Sequence, residues 1–222
     1  MDEILEKITT CVEFGKVDKT SPFPPDLKGQ DGADELTKAA LEQGIDADTI
    51  LKQALVTGMD RVGQKFSEKK IFIPQMLMAA KAMNAAIEHL KPYFQSGAIQ
   101  HKGEVILATV KGDLHDIGKN LVKMAIEGSG WKVIDLGVDV SVQKIIAALE
   151  EHPEAAVGLS ALLTTTMQNM QEIVTEIKNQ KPGNKILIGG APVNDNFRNK
   201  IGADFYSPDP QGAVKFLNGQ VN

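Results

Sequence analysis

A carboxylate, an imidazole and a glycine lie close together in the segment VKGDLHDIGKN at residues 110–120. They are spaced as Asp113-x-His115-x-x-Gly118, where an apolar run gives way to a helical pattern. A carboxylate that accepts a hydrogen bond from one imidazole nitrogen fixes the tautomer and makes the other nitrogen a better metal ligand. Gly118 would let a bulky group approach the backbone closely. The spacing therefore indicates a ligand-binding loop with His115 as the candidate ligating residue.

Taken alone, the motif also fits a simpler structure, in which an aspartate caps a helix beside a loop histidine. A zinc site made by the protein alone is less well supported, because zinc needs three or four clustered ligands. His89, His101 and His152 show no paired helical spacing. The single cysteine, Cys11, excludes a cysteine-based zinc cluster and internal disulfides. The glycine-rich motifs of nicotinamide and P-loop nucleotide sites do not occur in the sequence.

The elements that must position this loop follow from Gly103 onward, where short apolar runs alternate with helix-compatible stretches. The predicted strands are residues 104–110, 131–137, 155–162, 184–190 and 203–206. The predicted helices are residues 118–127, 142–150, 167–178, 193–201 and 211–217. This alternation predicts an α/β fold with a doubly wound, five-stranded parallel sheet. Such sheets bind ligands at the carboxyl ends of their strands, so the loops after strands one, three, four and five are the candidate site.

The residues before this sheet have a helical periodicity. We predict a first helix that ends at Gly15, then an irregular proline-rich loop at residues 21–32. Three further helices are predicted at residues 33–43, from Asp46 to about Phe66, and from about Pro74. Four helices joined by mostly short loops predict an antiparallel bundle. The domain prediction is therefore residues 1–95 for the helical domain, 96–102 for a linker and 103–222 for the sheet domain.

Composition narrows the classes of protein that fit. The chain has 222 residues with 24 Lys and Arg against 29 Asp and Glu, a net charge of −5. This acidic balance argues against a nucleic-acid partner, which usually meets a basic patch. No stretch approaches the roughly 18 apolar residues that span a bilayer, and the acidic start lacks the plan of a signal peptide. We therefore expect a cytoplasmic protein with neither nucleic acid nor membrane as a partner.

Two further short motifs lie at the ends of later predicted strands and complete a recognisable set. The set is Asp113-x-His115-x-x-Gly118, Ser160-x-Leu162 and Gly189-Gly190. It resembles the three-part signature of cobalamin-binding domains. In its longer form, VKGDLHDIGKN, the first part is similar to the matching segment of cobalamin-dependent methionine synthase. It is also similar to the corrinoid proteins of methanol, methylamine and methoxyaromatic methyltransferase systems.

The helical half resembles the same group. FIPQMLMAAKAM at residues 72–83 is similar to the helical cap module that precedes the cobalamin domain in those proteins. The resemblance implies a four-helix bundle cap followed by a Rossmann-like, flavodoxin-like sheet. It also implies that the cap moves aside for partners, with a hinge in the segment from Phe94 to Lys102. Phe72 and Met76 would shield the upper face of the corrin, although the helical spacing of Met76 also fits a core residue.

The resemblance implies that cobalamin binds with His115 as the lower axial ligand of cobalt, in place of the cofactor's own dimethylbenzimidazole. Asp113 would hydrogen-bond the far imidazole nitrogen. Thr166 lies where methionine synthase-like modules have a serine that extends this pair. Glycines after the fourth strand would leave backbone room for the displaced nucleotide tail. The other cofactor-binding positions that the resemblance implies are Gly112, Leu114, Asp116, Gly118, Ser160, Leu162, Thr164, Gly189, Gly190, Ser207 and Asp209.

The function implied by this resemblance is that of a methyl-carrying corrinoid subunit with no substrate pocket of its own. It would shuttle a methyl group between a substrate-specific methyltransferase and a second methyltransferase acting on an acceptor such as tetrahydrofolate or a thiol. A reductive activase would be a further partner. Three alternatives stay open: an adenosylcobalamin-dependent mutase subunit, a cobalamin-responsive regulatory module, and a flavodoxin-like protein without a corrinoid. The mutase subunits typically lack a helical cap, and a regulator would need a DNA-binding domain.

Overall fold

The computed structural model describes residues 2–220. They divide into two compact units, of which the first runs to His101 and includes Gly128–Gly130. The second unit comprises Lys102–Glu127 and the chain from Trp131 onward. Among residues 2–220, no helix is long and apolar enough to cross a membrane.

The first unit is built from helices. Their bounds are α1 Asp2–Phe14, α2 Ala33–Glu42, α3 Ala47–Thr49, α4 Thr57–Ser67 and α5 Ile73–Gln95. A π-helical segment, Ile50–Val56, joins α3 to α4 without a break, so the predicted third helix is one continuous rod. Asp46 caps it, because its carboxylate accepts a hydrogen bond from the Thr49 N–H at 3.1 Å. Four helical rods result, and α1 packs against α2, α4 and α5.

Two chain features shape the turn after α1. Gly15 has a φ of +73°, and a Cβ at this position would lie 2.6 Å from the Cβ of Met78. The following loop contains a short 3₁₀ turn, Pro25–Leu27, and is irregular as predicted.

Cys11 on α1 is buried, and burial raises the pKa of its thiol to about 11. A buried thiol with a raised pKa is typical of a structural cysteine and not of a reactive one.

The segment predicted to link the units packs against the end of α5. The ring of His101 stacks on Phe94 with 4.4 Å between the ring centroids. The Ile99 N–H donates a hydrogen bond to the Tyr93 carbonyl at 3.2 Å. Residues up to His101 thus belong to the helical unit, and a hinge in this segment stays a prediction.

The second unit is a five-stranded parallel sheet with helices between its strands. The strands are β1 Glu104–Thr109, β2 Lys132–Asp135, β3 Ala156–Ser160, β4 Ile186–Gly189 and β5 Phe205–Tyr206. The helices are α6 Ile117–Gly128, α7 Val142–Glu151, α8 Met167–Gln180, α9 Asp195–Ile201 and α10 Pro210–Asn218. The predicted fold class is confirmed. Each strand is one to three residues shorter than the predicted run.

The strand order β2-β1-β3-β4-β5 places a switch in direction between β1 and β3. Thr109 pairs with Ser160, which pairs in turn with Gly189. The carboxyl ends of β1, β3 and β4 therefore lie in one row. Ligands of doubly wound sheets bind in the crevice beyond this kind of switch. The segments that follow Thr109, Ser160 and Gly189 all begin there.

Candidate functional site

The carboxylate of Asp113 is fully buried and accepts five hydrogen bonds. Its Oδ1 accepts from the backbone N–H and the Nδ1 of His115, at 3.1 and 2.7 Å. Its Oδ2 accepts from the N–H groups of Leu162 and Leu163 at 2.7 and 3.3 Å, and from the Thr166 hydroxyl at 2.9 Å. Burial alone would raise the pKa of Asp113, but the bonds from Leu162 and His115 outweigh it and lower that pKa far below its usual range. Asp113 is therefore an anion that ties the β1 loop to the β3 loop.

The imidazole of His115 is oriented by this anion. An ionised carboxylate can only accept hydrogen bonds, so the Nδ1 of His115 carries the proton. The lone pair of the neutral ring then lies on Nε2. The side chain is 51% exposed, and within residues 2–220 no hydrogen bond to Nε2 is found. His115 thus offers one available nitrogen of defined tautomer, as a metal ligand requires.

Thr166 is the third member of this chain of hydrogen bonds. It is buried at the end of a 3₁₀ turn, Thr164–Thr166, which leads directly into α8. Its Oγ1 lies 2.9 Å from the Asp113 carboxylate and 2.9 Å from the Leu163 carbonyl. The structure therefore brings Thr166 into contact with Asp113, as the resemblance implied, while Thr164 is exposed on the same turn. The influence of Thr166 on a cofactor stays a prediction.

Apolar side chains surround the imidazole on the exposed side. Leu114, on the same loop as His115, is 72% exposed, and Ile117, the first residue of α6, is 71% exposed. Leu162 and Leu163, whose N–H groups bind Asp113, are 43% and 42% exposed. A group of exposed large apolar residues on one surface indicates a ligand or partner that covers them. The surface around His115 thus suits a broad apolar ligand.

Two glycines near this surface, Gly118 and Gly190, have different structural roles. A Cβ on Gly118 would meet no atom within 4 Å, so the space beside α6 is open to a ligand. Gly190 has a φ of +125°, and a Cβ there would lie 1.8 Å from the Ala161 carbonyl oxygen. The sequence interpretation assigned Gly189 and Gly190 to space for a nucleotide tail. The structure gives Gly190 a further reason, which is the close contact between the ends of β3 and β4.

Several predicted site residues make only local contacts. Ser207 is buried with its hydroxyl hydrogen-bonded to the Asp209 carbonyl. The Asp209 carboxylate accepts the Gly212 N–H at 2.8 Å and caps α10. Asp116 accepts hydrogen bonds from Asn120 at the start of α6. These contacts do not join Ser207 or Asp209 to the His115 loop, and the contact of all three residues with a cofactor stays a prediction.

The two predicted cap residues lie in the helical unit and differ sharply in burial. Phe72 is 65% exposed at the start of α5, whereas Met76, one turn later, is 1% exposed. The burial of Met76 is that of a core residue. Phe72 therefore has the accessible side chain of the pair, and the shielding role of both stays a prediction.

Three residues that the sequence did not single out hold the same loop. Asp139 accepts the Gly112 N–H at 2.7 Å, and Thr109 donates to the His115 carbonyl at 2.9 Å. Asn169 donates to the Lys111 carbonyl at 2.7 Å. Of the three, only Thr109 could have been noticed in the sequence, as a hydroxyl residue near the end of an apolar run. Asp139 and Asn169 are polar loop and helix residues of ordinary type, so only the fold shows their position.

A metal held here would need most of its ligands from elsewhere. Across residues 2–220, no group of three or more His, Cys, Asp or Glu residues could hold a metal ion. His115 supplies a single nitrogen on an apolar surface. The donor set therefore fits a metal that is already enclosed in an organic macrocycle, and not a metal bound by protein ligands alone.

Comparison with known proteins identifies such a group. Two family models, each described as a B12 binding domain, match residues 30–91 and 103–214. The trimethylamine corrinoid protein of Methanosarcina barkeri is 36% identical over 194 residues, covering 86% of this chain and 89% of that protein. A cobalamin-binding protein from Desulfitobacterium hafniense is similar in structure, with a TM-score of 0.76, 31% identity and 98% coverage of both chains. The methanol:cobalamin methyltransferase complex of Methanosarcina barkeri gives a TM-score of 0.83 at 30% identity, covering 100% of this chain and 80% of that one.

Proposed function

The chain belongs to the corrinoid proteins of methyltransferase systems, and we propose that it carries a methyl group on a cobalamin whose cobalt is ligated by His115. The predicted family and the predicted cofactor, cobalamin, are confirmed. The B12 binding models cover parts of both units. What remains to be tested is the way in which the chain holds the cofactor and the partners that use it.

The residues of the second unit fit a corrinoid. A corrin ring supplies four equatorial nitrogens to cobalt, so the protein needs to offer one axial ligand. The Nε2 of His115 is that ligand in this proposal. The exposed side chains of Leu114 and Ile117 would cover part of the lower face of the ring. Open space beside Gly118 would allow the ring to approach the backbone.

When bound, cobalamin supplies a cobalt centre that accepts a methyl group when reduced and releases it when methylated. The residues of the chain control the lower ligand. Asp113 holds the proton on the Nδ1 of His115, and the bonds from Leu162 and Thr166 keep Asp113 ionised. A fixed anion behind the ring orients Nε2 and makes it a better ligand.

We propose two methyltransferases as partners. The first would transfer a methyl group from a substrate such as methanol or a methylamine, since relatives of the chain are named for these systems. The second would transfer it to an acceptor such as tetrahydrofolate or a thiol. A reductive activase would restore cobalt that has been oxidised. The described units supply one helical bundle and one cofactor-binding sheet, which supports a carrier that presents its cofactor to other catalysts.

The observation that supports His115 most strongly is its fixed tautomer with a free Nε2 on an apolar surface. The test is electron paramagnetic resonance of the Co(II) form, on protein labelled with ¹⁵N histidine. We expect hyperfine coupling to one histidine nitrogen. His115→Ala should fold, because its side chain is half exposed, and should lose this coupling. Coupling only to dimethylbenzimidazole nitrogen in the unsubstituted protein would contradict the proposal.

A further inference from the structure

We propose that Asp139 and Thr109 are positioning residues that hold the His115 turn, residues 111–115, at its two ends and so set the direction of the imidazole. This inference rests on the proposed ligation by His115. Neither side chain touches the imidazole, since both bind the backbone that carries it. They therefore act differently from Asp113, which binds the ring itself.

Asp139 holds the beginning of the turn with both its side chain and its backbone. Its Oδ1 accepts the Gly112 N–H at 2.7 Å, and its own N–H donates to the Asp113 carbonyl at 3.0 Å. It comes from the segment between β2 and α7, so these bonds join separate parts of the sheet edge. Its φ is +52°, in the left-handed region that residues other than glycine rarely adopt. Backbone strain of this kind persists where the surrounding structure demands it.

Thr109 holds the end of the turn. It is the last residue of β1 and is fully buried. Its hydroxyl donates to the His115 carbonyl at 2.9 Å. A buried hydroxyl without a hydrogen bond costs free energy, and this bond removes that cost for Thr109. The same bond restrains the backbone of His115. The backbone that carries the imidazole is thus tied to the rigid sheet.

The exposure of His115 explains why this support matters. Its side chain is half exposed, so packing does not hold it in one rotamer. A metal ligand needs its position held to within about 0.5 Å by the contacts behind it. Asp113 orients the ring and is itself held by donors from the segment after β3, but those bonds reach the turn only through its side chain. Asp139 and Thr109 bind the backbone of the turn directly, at Gly112 and at His115.

The matched variants separate the hydrogen bonds from other effects. Asp139→Gly keeps the left-handed backbone and removes the carboxylate, whereas Asp139→Asn keeps an acceptor oxygen and tolerates the same φ. Thr109→Val removes only the hydroxyl at nearly constant shape, whereas Thr109→Ser keeps it. Each pair thus compares loss of a hydrogen bond with its retention at one position.

Two measurements test the proposal, one of them without cofactor. Amide hydrogen exchange of Gly112 in the apoprotein should be at least about tenfold faster in Asp139→Gly than in Asp139→Asn. With hydroxocobalamin, Asp139→Gly and Thr109→Val should raise the dissociation constant about 10- to 100-fold, as loss of outer contacts does at other metal ligands. Both should also reduce the fraction of Co(II) that shows histidine coupling. The asparagine and serine variants should stay near the unsubstituted protein.

The outcomes distinguish this inference from the function on which it rests. If exchange of Gly112 becomes faster while affinity and histidine coupling stay unchanged, the contacts are structural only and the positioning proposal is wrong. If Asp139→Asn and Thr109→Ser lose as much affinity as their partners, the hydrogen bonds are not the cause and the proposal again fails. If the unsubstituted protein lacks histidine coupling, the proposed function fails first, and the exchange of Gly112 still reports whether Asp139 holds the turn.

Discussion

At the scale of single residues, Asp113 is held more completely than a loop carboxylate usually is. Its donors come from the His115 loop and from the segment that follows β3. Such a carboxylate orients the imidazole and also stabilises the fold. A hydrogen bond to a charged, buried group contributes about 1.5–3 kcal/mol, more than one between neutral groups.

Thr166→Val tests this contribution in the apoprotein. The change removes the hydroxyl that donates to Asp113 and leaves a buried methyl group in its place. We expect the free energy of unfolding of the second unit to fall by about 2 kcal/mol in urea titrations followed by circular dichroism. Thr166→Ser keeps the donor and loses one methyl group, so its loss should stay near or below about 1 kcal/mol. Equal losses in the two variants would show that packing, and not the hydrogen bond, dominates.

The residues of the site differ in how well the sequence predicts them. Asp113 and His115 are predictable because a carboxylate and an imidazole, with one residue between them, follow the end of a strand. Thr166 could be placed only through the resemblance, as its partner lies more than fifty positions earlier. Asp139 could not be found at all, since a backbone N–H of Gly112 is its partner and no side-chain pattern records such a bond.

At the scale of elements, a buried ion pair fastens the first turn of α6 to the end of β2. The side chain of Lys119 is 3% exposed, and its ammonium lies 2.6 Å from Asp135 Oδ1. Lys123, one turn later, lies 3.4 Å from the other carboxylate oxygen and is 33% exposed. Burial would raise the pKa of Asp135, but the Lys119 ammonium and the Gly137 N–H lower it below its usual value.

Lys119→Met should therefore destabilise the second unit by about 2 kcal/mol at pH 7, because it leaves Asp135 without its main partner. The folded pKa of Asp135 lies below the unfolded value of about 3.9. The stabilisation is thus fully present above that value and is lost as pH falls through the folded pKa. Urea titrations between pH 7 and pH 3 should show the difference between the two proteins shrinking with acid. Lys123→Met is the control, with an expected loss below about 1 kcal/mol, and a pH-independent difference would contradict the explanation.

The glycine after β4 gives a second prediction about elements. In Gly190→Ala the new Cβ would meet the Ala161 carbonyl at 1.8 Å in a left-handed backbone, so β3 and β4 must separate at their ends. We expect a loss of at least about 3 kcal/mol in unfolding free energy. Gly202 also has a positive φ, +76°, but a Cβ there would meet no atom within 4 Å. Gly202→Ala should therefore lower the unfolding free energy by only about 1 kcal/mol. Similar losses in both would mean that backbone strain alone is responsible.

The elements were more predictable than their details. Buried strands read as continuous apolar runs, so β1, β3 and β4 are evident in the sequence. The π-helical segment Ile50–Val56 has no sequence signature of its own and was covered by a prediction of regular helix. Pro92 lies inside α5, although proline usually ends a helix, since tertiary packing can override local preference.

At the scale of the whole molecule, each unit is expected to fold by itself. One apolar cluster of the second unit includes Ile106, Leu149 and Ile188, and all its members lie between residues 106 and 206. A domain with its own core can fold alone. The fragment 103–222 should therefore unfold cooperatively in urea and bind hydroxocobalamin, as seen in its absorption spectrum. The same fragment with His115→Ala is the control for ligation, and a fragment without a cooperative transition would contradict the prediction.

The five hydrogen bonds on Asp113 have a consequence for the speed at which the chain takes up its cofactor. All five donors belong to the chain, so the proposed lower ligand, His115, is oriented at folding and should need no rearrangement when a corrinoid arrives. Uptake by a prearranged site is limited by encounter and by changes in the incoming molecule. In the proposed binding mode cobalamin would first have to release its own base, and this unimolecular event should set a ceiling on the loading rate. Cobinamide, which has no base to release, should load at a rate that keeps rising with its concentration.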